Sequence, residues 1–108
     1  MTQRLMNANS GAQSASLQVK ESAGTLFGLT VYNNNAGAQF IQLHDAATAP
    51  ADTAVPAIVF AIPTQTTCTL DLGRYGRRFA SGIYACNSST DVTKTIGAAD
   101  CIFDAQYE

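Results

Sequence analysis

Short runs of alternating hydrophobic and polar residues recur along the chain. In residues 27–32, Phe27, Leu29 and Val31 alternate with small or polar residues, which is the period of a strand with one buried face. The run 57–62 is continuously apolar and is therefore expected to be covered on both faces. No run has the period of an amphipathic helix. The strands predicted by these runs are residues 16–20, 27–32, 39–45, 57–62, 66–72, 79–88 and 100–108.

The connections between these runs predict how the strands are joined. The segment NNNAGA contains residues that tolerate the positive φ angles of turns, so we expect residues 27–45 to form a β-hairpin. The connection 46–56 includes Pro50 and Pro56, which exclude a helix interior, and its length suits a crossing between sheets. The pattern predicts an all-β protein, an antiparallel β-sandwich (jelly-roll or immunoglobulin-like) of about six to eight short strands.

The length of 108 residues leaves room for one domain. Residues 1–15 are small and polar without a sustained period, so a flexible N-terminal arm is expected there. Residues 16–108 are expected to form a single β-sandwich domain. The N-terminus has no apolar run, which predicts neither a signal peptide nor a membrane span and makes synthesis in the cytoplasm the expectation.

Charge is scarce in this chain. Charged residues make up 13% of the sequence, about half of the roughly 25% that is usual. Such a surface suits a protein packed against neighbours, although a neutral soluble domain would have the same composition. The net charge of −2 gives no electrostatic footprint for nucleic acid, so no nucleic-acid partner is expected.

The chain contains few candidate catalytic residues. His44 is the single histidine and precedes Asp45, but adjacent strand residues point to opposite faces, so the two are expected to face apart. With Ile41 and Leu43 inward, Gln42 and His44 are expected to point outward, His44 as an exposed residue at a strand end. We therefore expect no enzyme.

No cofactor or metal is expected either. The aspartates do not form a calcium-binding loop pattern. The cysteines Cys68, Cys86 and Cys101 are far apart and lack zinc spacing. Because each lies in an apolar stretch, we expect buried free thiols; the sequence leaves open whether two of them pair.

Half of the six basic residues lie in the segment GRYGRRF, as Arg74, Arg77 and Arg78. Arginine suits interface ion pairs and bidentate contacts with carboxylates. We expect these residues on a loop, either in contact with a partner protein or simply solvated; nucleic acid is the weaker alternative. The asparagines of the NNNAG turn are the second candidate contact, as a simple turn or as a tip that touches a neighbour. They are Asn33, Asn34 and Asn35.

Over residues 17–108 the order of segments resembles that of a group of small tailed-bacteriophage virion proteins. The resemblance is carried by GTLFGLTVYNNNAGAQFIQLHDA, ATAPADTAVP, AIVFAIP, TTCTLDLG and FASGIYACNSST. The chain departs from the pattern at GRYGRR, where apolar residues are expected.

This resemblance implies a structural protein of the particle, located in the virion. The role it favours is a capsid decoration or cement protein that holds neighbouring capsomers together through contacts with the major capsid protein or other virion proteins. It also implies a homo-oligomer, with a trimer favoured because decoration proteins often sit at three-fold positions.

Two alternatives remain at this stage. One is another particle position, such as a head fibre, neck or tail component. The other is a carbohydrate-binding or receptor-binding β-sandwich with a stacking platform of aromatic residues, which the absence of tryptophan disfavours. The residues that would form the platform are Tyr32, Phe40, Tyr75 and Tyr84.

Overall fold

The computed structural model describes residues 5–108, and every regular element in that range is a β-strand. The nine strands are β1 (Met6–Asn9), β2 (Ser16–Lys20), β3 (Gly24–Asn33), β4 (Gln39–Asp45), β5 (Ile58–Ile62), β6 (Thr66–Asp71), β7 (Arg77–Phe79), β8 (Ile83–Ser88) and β9 (Cys101–Tyr107). Sheet A has the order β1-β9-β3-β6, and β7 pairs with the start of β3 beside β6. Sheet B has the order β2-β8-β4-β5. The prediction of an all-β antiparallel sandwich is confirmed.

The core lies between the two sheets and is built from alternate residues of their strands. Leu29 and Val31 of β3 and Phe103 of β9 are fully buried from sheet A, and Ile41 and Leu43 of β4 are fully buried from sheet B. The burial of such side chains stabilises the fold by roughly 1.5–3 kcal/mol each. The described residues share this one core cluster.

The prediction of a hairpin over residues 27–45 is wrong. β3 belongs to sheet A and β4 to sheet B, so residues 34–38 form an arch between the sheets. The prediction that residues 46–56 cross from one sheet to the other is also wrong, because β5 pairs with β4 in the same sheet. Alternation fixes which face of a strand is buried, and an arch and a hairpin satisfy that requirement equally well.

Two local face assignments also differ from the prediction. β5 is an edge strand with one packed face, and Val59 on its other face is 41% exposed, so its apolar run is not covered on both sides. In β3 the pairing with β9 shifts between Leu26 and Gly28. This irregularity buries Leu26 and leaves Phe27, expected to be inward, only half-buried.

The N-terminal residues are more ordered than the expected flexible arm. Residues 6–9 form β1, which pairs with β9, and residues 1–4 lie outside the described residues. Asn7 and Asn9 donate side-chain hydrogen bonds to Asp104 at 2.9 and 3.1 Å. These donors lower the pKa of the Asp104 carboxyl.

Candidate contact surfaces

The outer face of sheet B is covered by two loops rather than by solvent. Gln42 is fully buried, and its Nε2 donates to the carbonyl oxygens of Thr90, Asp91 and Thr93 at 2.9–3.0 Å. His44 is 3% exposed, so the prediction of an exposed strand-end histidine is wrong. Polar residues can occupy this layer because each finds an internal partner.

His44 and Asp45 do not act on each other. Because the Gln42 amide nitrogen donates to the loop, its oxygen must accept, and His44 Nε2 donates to it at 3.0 Å. Asp45 instead accepts hydrogen bonds from the backbone of Ala80, Ser81 and Gly82. The bond from Ser81 is the main reason why the pKa of this carboxyl is lowered. Both side chains are therefore engaged in holding loops.

Burial lowers the pKa of His44 below its ordinary value of 6.5, and the nearby charge of Lys94 lowers it further. Below about pH 6.5 the unfolded chain thus binds a proton that the folded chain resists, so stability falls as the pH drops. We expect urea unfolding to show this loss between pH 7.5 and 5, by at most about 1.4 kcal/mol per pH unit. His44→Gln should remove the dependence. An unchanged slope in this variant would show that another group titrates.

Lys94 joins the two covering loops. It is 7% exposed, and its Nζ donates to the Pro50 carbonyl oxygen at 2.6 Å and lies 3.6 Å from Asp52 Oδ1. The same carboxylate oxygen accepts from the backbone N–H of Ile96 at 3.2 Å. This cluster is structural, since it connects residues 46–57 to residues 89–97.

The three cysteines are free, and Cys86 and Cys101 are buried as expected, whereas Cys68 is only half-buried. Burial raises the pKa of Cys86 and of Cys101 to about 11, so both remain thiols at neutral pH and are poor nucleophiles. Within residues 5–108, no group of three or more His, Cys, Asp and Glu side chains is placed to hold a metal ion.

The asparagine arch is divided between buried and exposed residues. Asn33 is fully buried and donates to the carbonyl oxygens of Gly37, Ile62 and Pro63 at 3.1–3.3 Å, so this side chain cannot reach a partner in the folded protein. Its assignment as a contact residue is wrong. Asn34 is exposed.

The third asparagine of the arch is tied to the loop before β9. Asn35 is half-buried and donates to Asp100 Oδ2 at 2.8 Å, and its own side-chain oxygen accepts from the Gly37 N–H. Asn34 is therefore the member of the three that most freely faces outward.

The arginine segment leaves sheet A after β6 and returns to it as β7; both strands pair with β3 and not with each other. The turn between β6 and β7 contains Gly73 and Gly76, which have φ angles of 77° and 69° and so adopt the left-handed conformation that favours glycine. Tyr75 lies between them at 84% exposure, and the Arg74 guanidinium is 5.7 Å from the centre of its ring. We call residues 73–79 the arginine hairpin, as a label for this turn and β7 that does not imply pairing between β6 and β7.

The three arginines are all exposed, but they do not lie on one face. Arg77 and Arg78, expected on a loop, are the first residues of β7 and therefore point to opposite sides. Arg77 lies 5.9 Å from the ring centre of the buried Phe79, toward the end of the sandwich. Arg78 pairs with Thr25 on the outer face of sheet A.

A groove of about 390 Å³ lies on the outer face of sheet A beside the arginine hairpin. Gly28 helps to keep it open, because a Cβ atom there would lie 3.2 Å from Gln106 Oε1. Arg74 lines one end of the groove and Phe27 contributes an apolar wall. No pattern in the sequence indicates this groove, whose lining residues come mainly from β3, β6, β9 and the turn after β6.

One side of the sandwich carries no charge. Residues 53–70 include β5 and nearly all of β6 and contain no Asp, Glu, Lys or Arg. Val55 and Val59 in this segment are 76% and 41% exposed. The absence of charge is visible in the sequence, but which residues are exposed depends on β5 being an edge strand.

The four aromatic residues considered for a stacking platform are not brought together. Tyr32 lies on the outer face of sheet A, whereas Phe40 and Tyr84 belong to sheet B. The Tyr84 hydroxyl is hydrogen-bonded to Ser16 Oγ at 2.9 Å, and Tyr75 lies on the arginine hairpin.

Comparisons with known proteins identified no relative. A scan against models of protein families, a search of curated proteins and a search of solved structures each gave no match to this chain. In the described part of the chain, no helix is long and apolar enough to cross a membrane.

Proposed function

We propose that this protein is a non-enzymatic structural component of a bacteriophage particle, a capsid decoration or cement protein that stabilises the shell through protein–protein contacts. The observation that carries the proposal is the arginine hairpin, which presents Tyr75 between exposed guanidinium groups. Tyrosine and arginine are the residue types enriched at the energetic centres of interfaces. A rigid sandwich that projects such a hairpin is suited to binding another protein.

The use of the other polar side chains supports a structural role. His44, Asp45 and Lys94 hold loops in place, and Asp104 anchors β1. The low charge content reduces the desolvation cost when many copies pack side by side. The assignment of this binding module to a virion rests on the resemblance in the order of strands and turns over residues 17–108.

The proposed partner is the major capsid protein or another virion protein, reached after synthesis in the host cytoplasm. A head-fibre, neck or tail position would use the same kind of contact. The protein is proposed to act as a homo-oligomer, and the resemblance favours three copies.

Replacing Arg74, Arg77 and Arg78 together by serine should weaken attachment to undecorated capsids by about tenfold or more, because each guanidinium can pair with an acidic group of the shell. The measurement is co-sedimentation over a series of protein concentrations. Wild-type binding should also weaken between 50 and 300 mM salt, since partly exposed ion pairs are screened over roughly 10 Å at 0.1 M.

A matched control separates the hairpin from net charge alone. Introducing glutamate at three exposed positions remote from the hairpin changes the net charge by the same three units and should leave binding near the wild-type level; the positions are Ala12, Gln13 and Ala98. Full binding by the arginine variant, with an unchanged circular dichroism spectrum, would contradict a role of the hairpin in attachment.

A further inference from the structure

β5 is an apolar strand edge with little protection. It is the outer strand of sheet B beyond β4, and the pairing of the two strands has no register shift. Its sequence, Ile-Val-Phe-Ala-Ile, contains neither a charge nor a proline. Free edges of this kind template the addition of another strand, so proteins normally blunt them.

Three of the four other edges carry such protection. β2 has a register shift and ends at Lys20. β7 is three residues long and begins with Arg77 and Arg78, and β1 is a four-residue strand with two asparagines. β6, the remaining edge, is regular and uncharged up to Asp71, but threonines form its exposed face. β5 therefore differs from β2 and β7 in charge, and from β1 and β6 in the apolar character of its exposed face, as expected of an edge that is covered when the protein works.

The core is also incompletely closed along this side. Ile58 and Phe60 of β5 and Cys68 and Leu70 of β6 face the core but are only half-buried. Since residues 53–70 carry no charge, a partner that covers them is expected to present an uncharged, apolar edge of its own, because a charge buried there would lose its hydration without gaining a counter-charge.

We propose that the partner is a second copy of this chain, bound through antiparallel pairing of β5 with β5 across a two-fold axis at Phe60. The strand is nearly symmetric about that residue. In this register Ile58 lies opposite Ile62 of the second copy, and Val59 lies opposite its Ala61. Both edges are uncharged and equal in length. The unpaired backbone N–H and C=O groups of one edge can therefore pair with those of the other.

The contact joins the two four-stranded sheets into one continuous sheet and places the half-buried rows of both copies side by side. A two-fold contact uses the same patch on both subunits and closes at two copies. This inference is independent of where the protein sits in a particle, and it differs from the trimer that the resemblance favours.

The test is the mass of the protein in solution, measured by light scattering at micromolar concentration. Wild type should be a dimer, and Val59→Lys should be a monomer because it places two like charges at an uncharged contact, weakening association by more than about 100-fold. Val92→Lys is the matched control, since Val92 is 71% exposed on another surface; it should remain a dimer. A monomeric or trimeric wild type, or a dimeric Val59→Lys variant, would overturn the inference.

Cross-linking tests the register and does not depend on how the lysine variant folds. The double variant Val59→Cys, Ala61→Cys should form a covalent dimer under a mild thiol oxidant, because each introduced thiol faces one from the other copy. Each single variant, which places its thiol opposite Ala61 or Val59, should cross-link no more than wild type. Equal cross-linking of all four proteins would exclude this register. If the protein proved not to be a dimer, the proposed capsid binding through the arginine hairpin would be unaffected, because co-sedimentation tests it separately.

Discussion

Replacing Asn33 with alanine is expected to lower the free energy of unfolding by about 3 kcal/mol. The two N–H groups of the fully buried amide are shared among three carbonyl oxygens, one in the arch, one at the end of β5 and one in the β5–β6 connection. Its oxygen accepts from the Asn35 N–H at 2.9 Å. Each buried group left without a partner costs roughly 1–3 kcal/mol, and partial relaxation offsets some of the sum. Urea denaturation followed by circular dichroism measures the loss.

Asn34→Ala is the matched control for this prediction. Asn34 is the neighbouring residue, is exposed, and accepts one long hydrogen bond of 3.3 Å from Tyr32. Its removal should change stability by less than about 0.5 kcal/mol. If both variants lost the same small amount, the amide of Asn33 would not be what holds the two sheets at the arch.

Replacing Gly76 with alanine is expected to cost about 3 kcal/mol or to release β7 from β3. Gly76 has a φ of 69°, where an L-residue is strained by roughly 1–2 kcal/mol. A Cβ atom there would also lie 2.6 Å from the Leu26 carbonyl oxygen and 2.7 Å from Thr25 Cγ2. The first of these contacts is with backbone and cannot be relieved by a side-chain rotation. Urea denaturation measures the cost, and amide hydrogen exchange at residues 24–26 reports whether β7 is released.

Gly73→Ala separates the two causes. Gly73 has a similar φ of 77°, but nothing lies within 4 Å of its Cβ position. Alanine there should cost only the backbone term, roughly 1–2 kcal/mol, and leave β7 paired. Equal losses in the two glycine variants would show that close approach to β3 is not what fixes the arginine hairpin.

The strands themselves were largely predictable because alternation is a local signal. Residues 39–45 form a strand with the bounds expected of it, and Cys101, Phe103 and Ala105 face the core as their spacing predicts. The pairing was not predictable. The five residues after β3 fit a hairpin or an arch, and the choice depends on strands that are distant in the sequence.

Burial of polar residues also lay beyond the sequence pattern. Gln42 and His44 alternate with apolar residues as solvent-facing positions do, yet loops far along the chain cover them. Gln42 finds its partners among backbone carbonyls, which no residue type reveals, and His44 in turn donates to Gln42.

The candidate contact residues were partly visible. The clustering of Arg74, Arg77 and Arg78 indicated an exposed loop, but β7 is too short to show alternation, so the opposite orientations of Arg77 and Arg78 could not be read from the sequence. The sequence indicates Tyr75 only as one of the aromatic residues of a possible stacking platform. The exposure of this tyrosine could not be read from the residue type, because it belongs to a turn whose two glycines have positive φ angles.

The most direct test of the proposed function is a reconstruction of intact particles compared with particles that lack this protein. We expect additional density on the outside of the shell, large enough for this sandwich, with the arginine hairpin facing an acidic surface of a capsid subunit. Density at a neck, tail or fibre position would support a structural role, but at a different place in the particle. Identical maps from the two preparations, together with no co-sedimentation of the purified protein with shells, would contradict the proposal.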